Sequence, residues 1–251
     1  MMTDQSVIVF LGQKTVPGLM AANHTAPAKK VARRSRDPAL SPRASRLETG
    51  RRSRKGRSAD RREAILAAAL DEFSMRGFDA TRIDDVAKRA DVAKGTIYLY
   101  FRDKESLFQE LIRAMLTPLI GAIEALGEVD MPLQVLAERF VDLFVREVYE
   151  TRRRDVIRLI LSEGRRFPKV AEFYYREVLS RMLKAVRALL RRALERGELA
   201  DDTLIRFPQL LVAPGIVAIV WNGLFDRFEP LDVRAMMGAS CERLFAARRP
   251  T

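Results

Sequence analysis

Thr81-Arg82-Ile83-Asp84-Asp85-Val86-Ala87-Lys88-Arg89-Ala90-Asp91-Val92-Ala93-Lys94-Gly95-Thr96-Ile97-Tyr98-Leu99-Tyr100-Phe101 decides how this chain is read. Ile83, Val86, Ala87 and Ala90 recur at helical spacing and form one inner face. Thr81 stands three residues before Asp84, the spacing of a capping box, so a helix is expected to open there. Asp91-Val92 breaks it, and a second helix runs from about Ala93 to Phe101. Ala87 and Ala90 are small enough to let the two helices cross closely, and Val92 and Ile97 fill the space between them. Upstream, Ile65, Leu66, Ala69, Leu70 and Phe73 stripe a longer helix, expected from a cap at Ser58 to just before Gly77. Two short helices with a tight turn behind a third give the outline of a helix-turn-helix in a three-helix bundle.

In that outline Lys94, Thr96, Tyr98 and Tyr100 lie on the outer face of the second short helix. A lysine near a helix N-terminus and a threonine suit base edges, and tyrosine hydroxyls suit phosphates. Thr81 and Lys104 begin the flanking helices, whose free N–H groups favour a phosphate.

Composition bounds the rest. The 251 residues carry a net charge of +12 with one cysteine and one histidine. A single cysteine, Cys241, excludes an internal disulfide framework, and His24 as the sole histidine leaves no multi-His metal site. No Gly-rich phosphate loop or nucleophile elbow is present. No catalytic residue, metal or cofactor is therefore expected. Residues 1–62 hold 15 Lys+Arg against 4 Asp+Glu, whereas residues 63–251 hold 30 against 29. The first stretch is proline-bearing and lacks periodicity, so residues 1–57 are read as a disordered basic arm. The apolar run Val7–Leu11 is too short for a signal peptide and has no basic flank. The run Leu210–Trp221 falls short of a membrane span and contains Pro214 and Gly215. No membrane partner is expected, and the protein is read as cytoplasmic.

Beyond residue 100 the pattern stays helical. Pro118 is expected to kink or end the fourth helix. Pro132 opens one to about Tyr149, another covers Arg154 to Gly164, and Pro168 opens a long one that Gly197 closes. A helix over Asp201–Phe225, disturbed at Pro208 and Pro214, and one over Leu231–Ala247 complete the chain. Arg152-Arg153-Arg154 reads as a solvated helix end.

Residues 61–112 resemble the N-terminal domain of the tetracycline-repressor (TetR/AcrR) family. The combination of Gly95, Tyr98, Phe101 and Lys104 after an Ala-Val turn carries the likeness. Asp91 departs from it, standing where the family usually has glycine. The resemblance implies an all-α protein: a helix-turn-helix domain over residues 58–114 and a helical effector-binding and dimerisation domain over residues 115–251. It implies a homodimer joined through the last two helices, bound to a double-stranded DNA operator and released by a small-molecule effector. It places DNA contacts on Thr81, Ala93, Lys94, Gly95, Thr96, Tyr98, Tyr100 and Lys104. Phe167, Phe173, Tyr174 and Trp221 are the aromatic candidates for the effector pocket. A DNA-organising or cell-division protein of the same fold, without an effector, is the competing reading.

The helix-turn-helix stretch itself is not basic: residues 63–113 hold 8 Lys+Arg and 10 Asp+Glu. Non-specific phosphate contacts are then expected from the arm. Deleting residues 1–55 should flatten the slope of log DNA affinity against log salt concentration. An unchanged slope in a salt titration would remove the arm from the interface.

Overall fold

The computed structural model describes residues 42–245, with side chains from residue 56 onward, and every regular element among them is helical. Helix α1 spans Pro42–Ala80 and is interrupted at Gly77, whose φ of 79° is a left-handed value that only glycine adopts freely. It begins well ahead of Ser58, so Ser58 is not its cap. The Ser58 hydroxyl instead lies 3.0 Å from that of Tyr100. Of the arm read over residues 1–57, residues 42–57 are helical here; residues 1–41, with His24, lie outside the described residues.

Helices α2 (Ile83–Arg89) and α3 (Lys94–Tyr98) follow. The box expected at Thr81 sits one residue later: the Arg82 N–H donates to Asp85 Oδ2 at 3.3 Å. Thr81 is buried, and its hydroxyl faces Gly77 O at 2.7 Å and Glu72 O at 3.1 Å. A threonine that closes the end of α1 cannot also cap α2. Helix α3 is shorter than its sequence suggests, because Tyr100 and Phe101 both donate N–H bonds to Ile97 O in a closing turn.

Helix α4 (Lys104–Glu128) is capped by Asp103, whose carboxylate accepts from Ser106 N at 2.7 Å. That backbone bond holds the Asp103 pKa below the ordinary carboxylate range. Pro118 lies inside α4 and does not end it. In the turn it disturbs, Arg153 Nε donates to Met115 O at 2.8 Å. By length and composition α4 is apolar enough to cross a membrane. Its Phe108, Ile112 and Ile120 are nevertheless buried in the protein's own core.

The second half contains α5 (Leu133–Leu143), extended by a π-helical stretch Phe144–Tyr149, and α6 (Arg153–Glu163). Helix α7 (Pro168–Tyr174) runs through a π-helical stretch Tyr175–Leu179 into α8 (Ser180–Glu195). Gly197 closes that helix with φ of 73°. The short α9 (Thr203–Arg206), then α10 (Gln209–Phe225) and α11 (Val233–Phe245) end the described chain. Pro214 is carried within α10.

The two halves share one core. Phe73, Phe78 and Phe108 are buried with ring centroids 5.2–5.4 Å apart. Phe167, just before α7, meets Phe78 edge-on at 4.5 Å. Beneath them Glu72, 3% exposed, takes Arg89 Nε at 2.6 Å and fastens α2 to α1.

The α2–α3 turn rests on Asp91, which has φ of 50°. Val92 N–H bonds to Ala87 O and Asp91 N–H to Lys88 O, the bonding of a Schellman ending. Aspartate tolerates the left-handed conformation with a penalty that glycine avoids. Asp91→Gly should therefore raise the urea midpoint, by about 0.5–1 kcal/mol of stability. β-branched Asp91→Val should lower it by more. Equal midpoints for the three proteins would show that the turn is unstrained.

Candidate nucleic-acid interface

The outer face of α3 gathers part of the expected set. Ala93, Lys94 and Gly95 are exposed, Thr96 is half-buried, and Tyr98 is 49% exposed. A Cβ placed on Gly95 would meet nothing within 4 Å. Packing therefore does not require glycine there, although glycine weakens a helix. A bare backbone at that point suits the close approach of something outside the chain.

Lys94 Nζ donates to Asp84 Oδ2 at 2.9 Å. That hydrogen bond and its charge hold the ammonium's pKa above its ordinary value. Both groups are about half exposed, so the pair is weak and easily opened. Asp84 thus parks the lysine beside α2 and sets a negative charge next to the reading face.

Three expected contacts are placed otherwise. Thr81 turns its side chain inward, as described. Tyr100 is half-buried against the core, with its hydroxyl at Ser58. Lys104 sends its ammonium to the end of α1, donating to Phe78 O and Asp79 O at 2.7 Å and Thr81 O at 3.0 Å. An ammonium has three N–H donors, and these carbonyls take them all. The same group stands 4.7 Å from the centre of the Phe78 ring. Burial pushes its pKa below the usual lysine value, opposed by the carboxylates of Asp79 and Glu163. A lysine one residue inside a helix start reads on sequence as a phosphate ligand; here it closes a neighbouring helix end.

The second half encloses a cavity of about 240 Å³ between α4, α5, α6 and the Tyr175–Leu179 stretch, with Ile216 of α10 and Met237 of α11 closing it. Of the four aromatic candidates only Tyr174 lines it. Phe167 belongs to the aromatic cluster of the shared core. Phe173 is buried, with the Arg113 guanidinium 5.0 Å from its ring centre. Trp221 donates its indole N–H to Glu229 O at 2.7 Å and packs on Phe225. The lining comes mainly from aliphatic residues of several helices, which no local spacing could single out.

Helix α6 is the wall between cavity and reading head. Ile157 and Ile160 line the cavity. Just before α6, Arg152 donates to Asp71 of α1 at 2.5 Å; just after it, Arg166 donates to Asp79 at 2.7 Å. The arginine run 152–154 is thus not a solvated end: Arg153 holds Met115 O, and Arg154 lies against the Tyr149 ring.

Residues 65–111 match the family of bacterial regulatory proteins named tetR, and residues 136–237 match the tetracyclin repressor-like C-terminal domain. The chain belongs to the TetR family. Over 132 residues it is 32% identical to the HTH-type transcriptional regulator RutR of Escherichia coli strain K12, covering 53% of this chain and 53% of RutR. Over 179 residues it is 28% identical to the HTH-type transcriptional regulator AcrR of Shigella flexneri, covering 69% of this chain and 83% of AcrR. The solved structure of a TetR-family regulator from Mesorhizobium loti matches with a TM-score of 0.57 at 26% identity, over 76% of this chain and 97% of that one.

As a TetR-family transcriptional regulator, the chain has two residues on its reading side that the sequence did not single out. Leu99 is 84% exposed at the end of α3, and Arg82 is exposed at the start of α2. For Leu99 the signal was an apolar residue between two tyrosines on a helix too short to bury both sides. For Arg82 it was a cation at a helix entrance.

The two lysines should separate on mutation. Lys94→Ala should weaken binding to DNA selected from a random pool about ten-fold while leaving the thermal midpoint unchanged, the loss expected of one good base contact of ~1–3 kcal/mol. Lys104→Met should lower the midpoint by several degrees, since three buried-side carbonyls lose their donor. The reverse pattern, in electrophoretic shift and melting curves, would exchange their roles.

Proposed function

We propose that this regulator is a homodimeric repressor that holds two α3 helices in successive major grooves of a near-palindromic operator and lets go when a small molecule fills its cavity. The observation that carries this reading is the double use of α6. Its apolar side lines the cavity, and residues at both of its ends are ion-paired to α1 of the reading head. A molecule that wedges α6 outward also shifts the segments beside it that meet α1, with Arg152 on Asp71, Arg166 on Asp79 and Phe167 on Phe78. Successive major grooves lie ~34–36 Å apart, so a small rotation of each head spoils the match of a dimer.

The cavity itself supports a ligand. At about 24 cal/mol per Å³, an apolar void of 240 Å³ forgoes on the order of 5 kcal/mol of packing. A DNA-organising protein without an effector has no use for such a void, which favours the ligand-released reading.

The dimer is supported by α10. Leu210, Val217, Val220 and Leu224 lie 42–63% exposed along one stripe of this helix. Beside it α11 exposes Ala235 and Ala239, small enough for another helix to approach closely. Apolar stripes of this kind are costly on a lone chain and usual at subunit contacts. The DNA contacts proposed are Ala93, Lys94, Gly95, Thr96 and Tyr98, with Thr81, Tyr100 and Lys104 holding the head in shape.

Val217→Arg combined with Leu224→Arg should give a helical monomer in sedimentation that no longer protects a palindrome in footprinting. A dimer that persists in the double variant would remove α10 from the interface. Protection of a single half-site by the unaltered protein would overturn the palindromic reading.

A further inference from the structure

The cavity wall is almost entirely carbon. Leucine, isoleucine, valine and methionine supply most of it, with Phe140, Phe144 and Tyr174 as the aromatic members. No aspartate, glutamate, lysine, arginine or histidine lines it. Tyr174 carries the single hydroxyl among the lining side chains, and that hydroxyl makes no hydrogen bond among the described residues. Burial pushes the Tyr174 phenol up to about 12, so the group stays protonated and can both donate and accept. An ionic group placed here would lose its hydration and meet no counter-charge, which is strongly unfavourable. Pockets of this build bind by apolar area and orient their occupant with few polar groups.

Resting on the reading of this cavity as the effector site, we infer that its occupant is an uncharged, mostly apolar molecule with one hydroxyl or carbonyl group, which hydrogen-bonds Tyr174. The cavity thereby excludes carboxylates and quaternary amines of the same chain length. Tyr174 fixes which end of the molecule lies deep, and α6 feels the bulk of the rest through Ile157 and Ile160.

The test uses the full chain without DNA and follows displacement of the neutral fluorophore N-phenyl-1-naphthylamine. Octanol should displace it at a concentration at least about ten-fold below that needed for octanoate or octyltrimethylammonium, the factor that ~1.4 kcal/mol supplies. Tyr174→Phe should weaken octanol about three- to ten-fold, the span of one hydrogen bond, while leaving fluorophore affinity within two-fold. Leu179→Trp, which fills the cavity, should abolish fluorophore binding with helical circular dichroism retained. Equal displacement by octanoate, or an unchanged octanol response in Tyr174→Phe, would overturn the inference. Release of selected DNA is read separately by electrophoretic shift. Octanol binding without DNA release would leave the ligand class standing and sink the effector-release reading. Release by a charged molecule that octanol competes with would overturn the ligand class alone.

Discussion

The ammonium of Lys104 holds the reading head together. Helix α1 is interrupted at Gly77, and the carbonyls beyond it need partners from outside the helix. Lys104, at the first position of α4, gathers the oxygens of Phe78, Asp79 and Thr81. That contact ties the exit of α1, the entrance of α2 and the start of α4 at one point. Because α4 continues from the head into the second half, the same point bears on the angle between them. Phe78 adds its ring beneath the ammonium and its edge to Phe167, so the joint is packed as well as charged.

This joint was hidden in the sequence, while much around it was open to reading. Periodicity places helices well where an apolar stripe faces one core, as in Ile65, Leu66, Ala69, Leu70 and Phe73, all of them buried. Left-handed endings were legible too: Gly197 and Asp91 both have positive φ, glycine by permission and aspartate by tolerance. What misled was the assumption that a side chain at a helix entrance serves that helix. Thr81 serves α1, which it directly follows, and Lys104 serves the same end from 26 residues beyond Phe78, where only the fold brings it. Pro118 does not end α4, and Pro214 is carried within α10, for a related reason. Each lies in a helix whose flanking turns are buried by neighbours, and packing outweighs one lost backbone bond. The cavity was least legible, since aliphatic side chains that line a void have the same spacing as those that fill a core.

Charge tells a similar story. Of the net +12, +11 lies in residues 1–62, and the balance over residues 63–113 is acidic. Asp84 beside Lys94 lowers the positive potential at the proposed DNA-contacting face. A head of this kind gains little from bulk attraction, so in the proposed complex Lys94 would leave Asp84 only for a better partner on DNA. Discrimination is sharpened when the unspecific term is kept small, because specificity is a difference between two affinities.

The magnitudes of the cavity and of the proposed switch are commensurate. Moving a two-state equilibrium from almost wholly bound to almost wholly released needs about 5.5 kcal/mol of preference for one arrangement. The packing forgone by the 240 Å³ void is on the order of 5 kcal/mol, and an occupant that fills it recovers a comparable amount. That energy acts on the head only to the extent that filled and empty cavities set α6 differently. Ion pairs on exposed side chains such as Arg152–Asp71 and Arg166–Asp79 are individually weak. They therefore serve as guides for the motion, and the force passes through a buried contact. That contact is Phe167 on Phe78. Edge-on packing of these rings is the route by which the proposed displacement of α6 would reach α1.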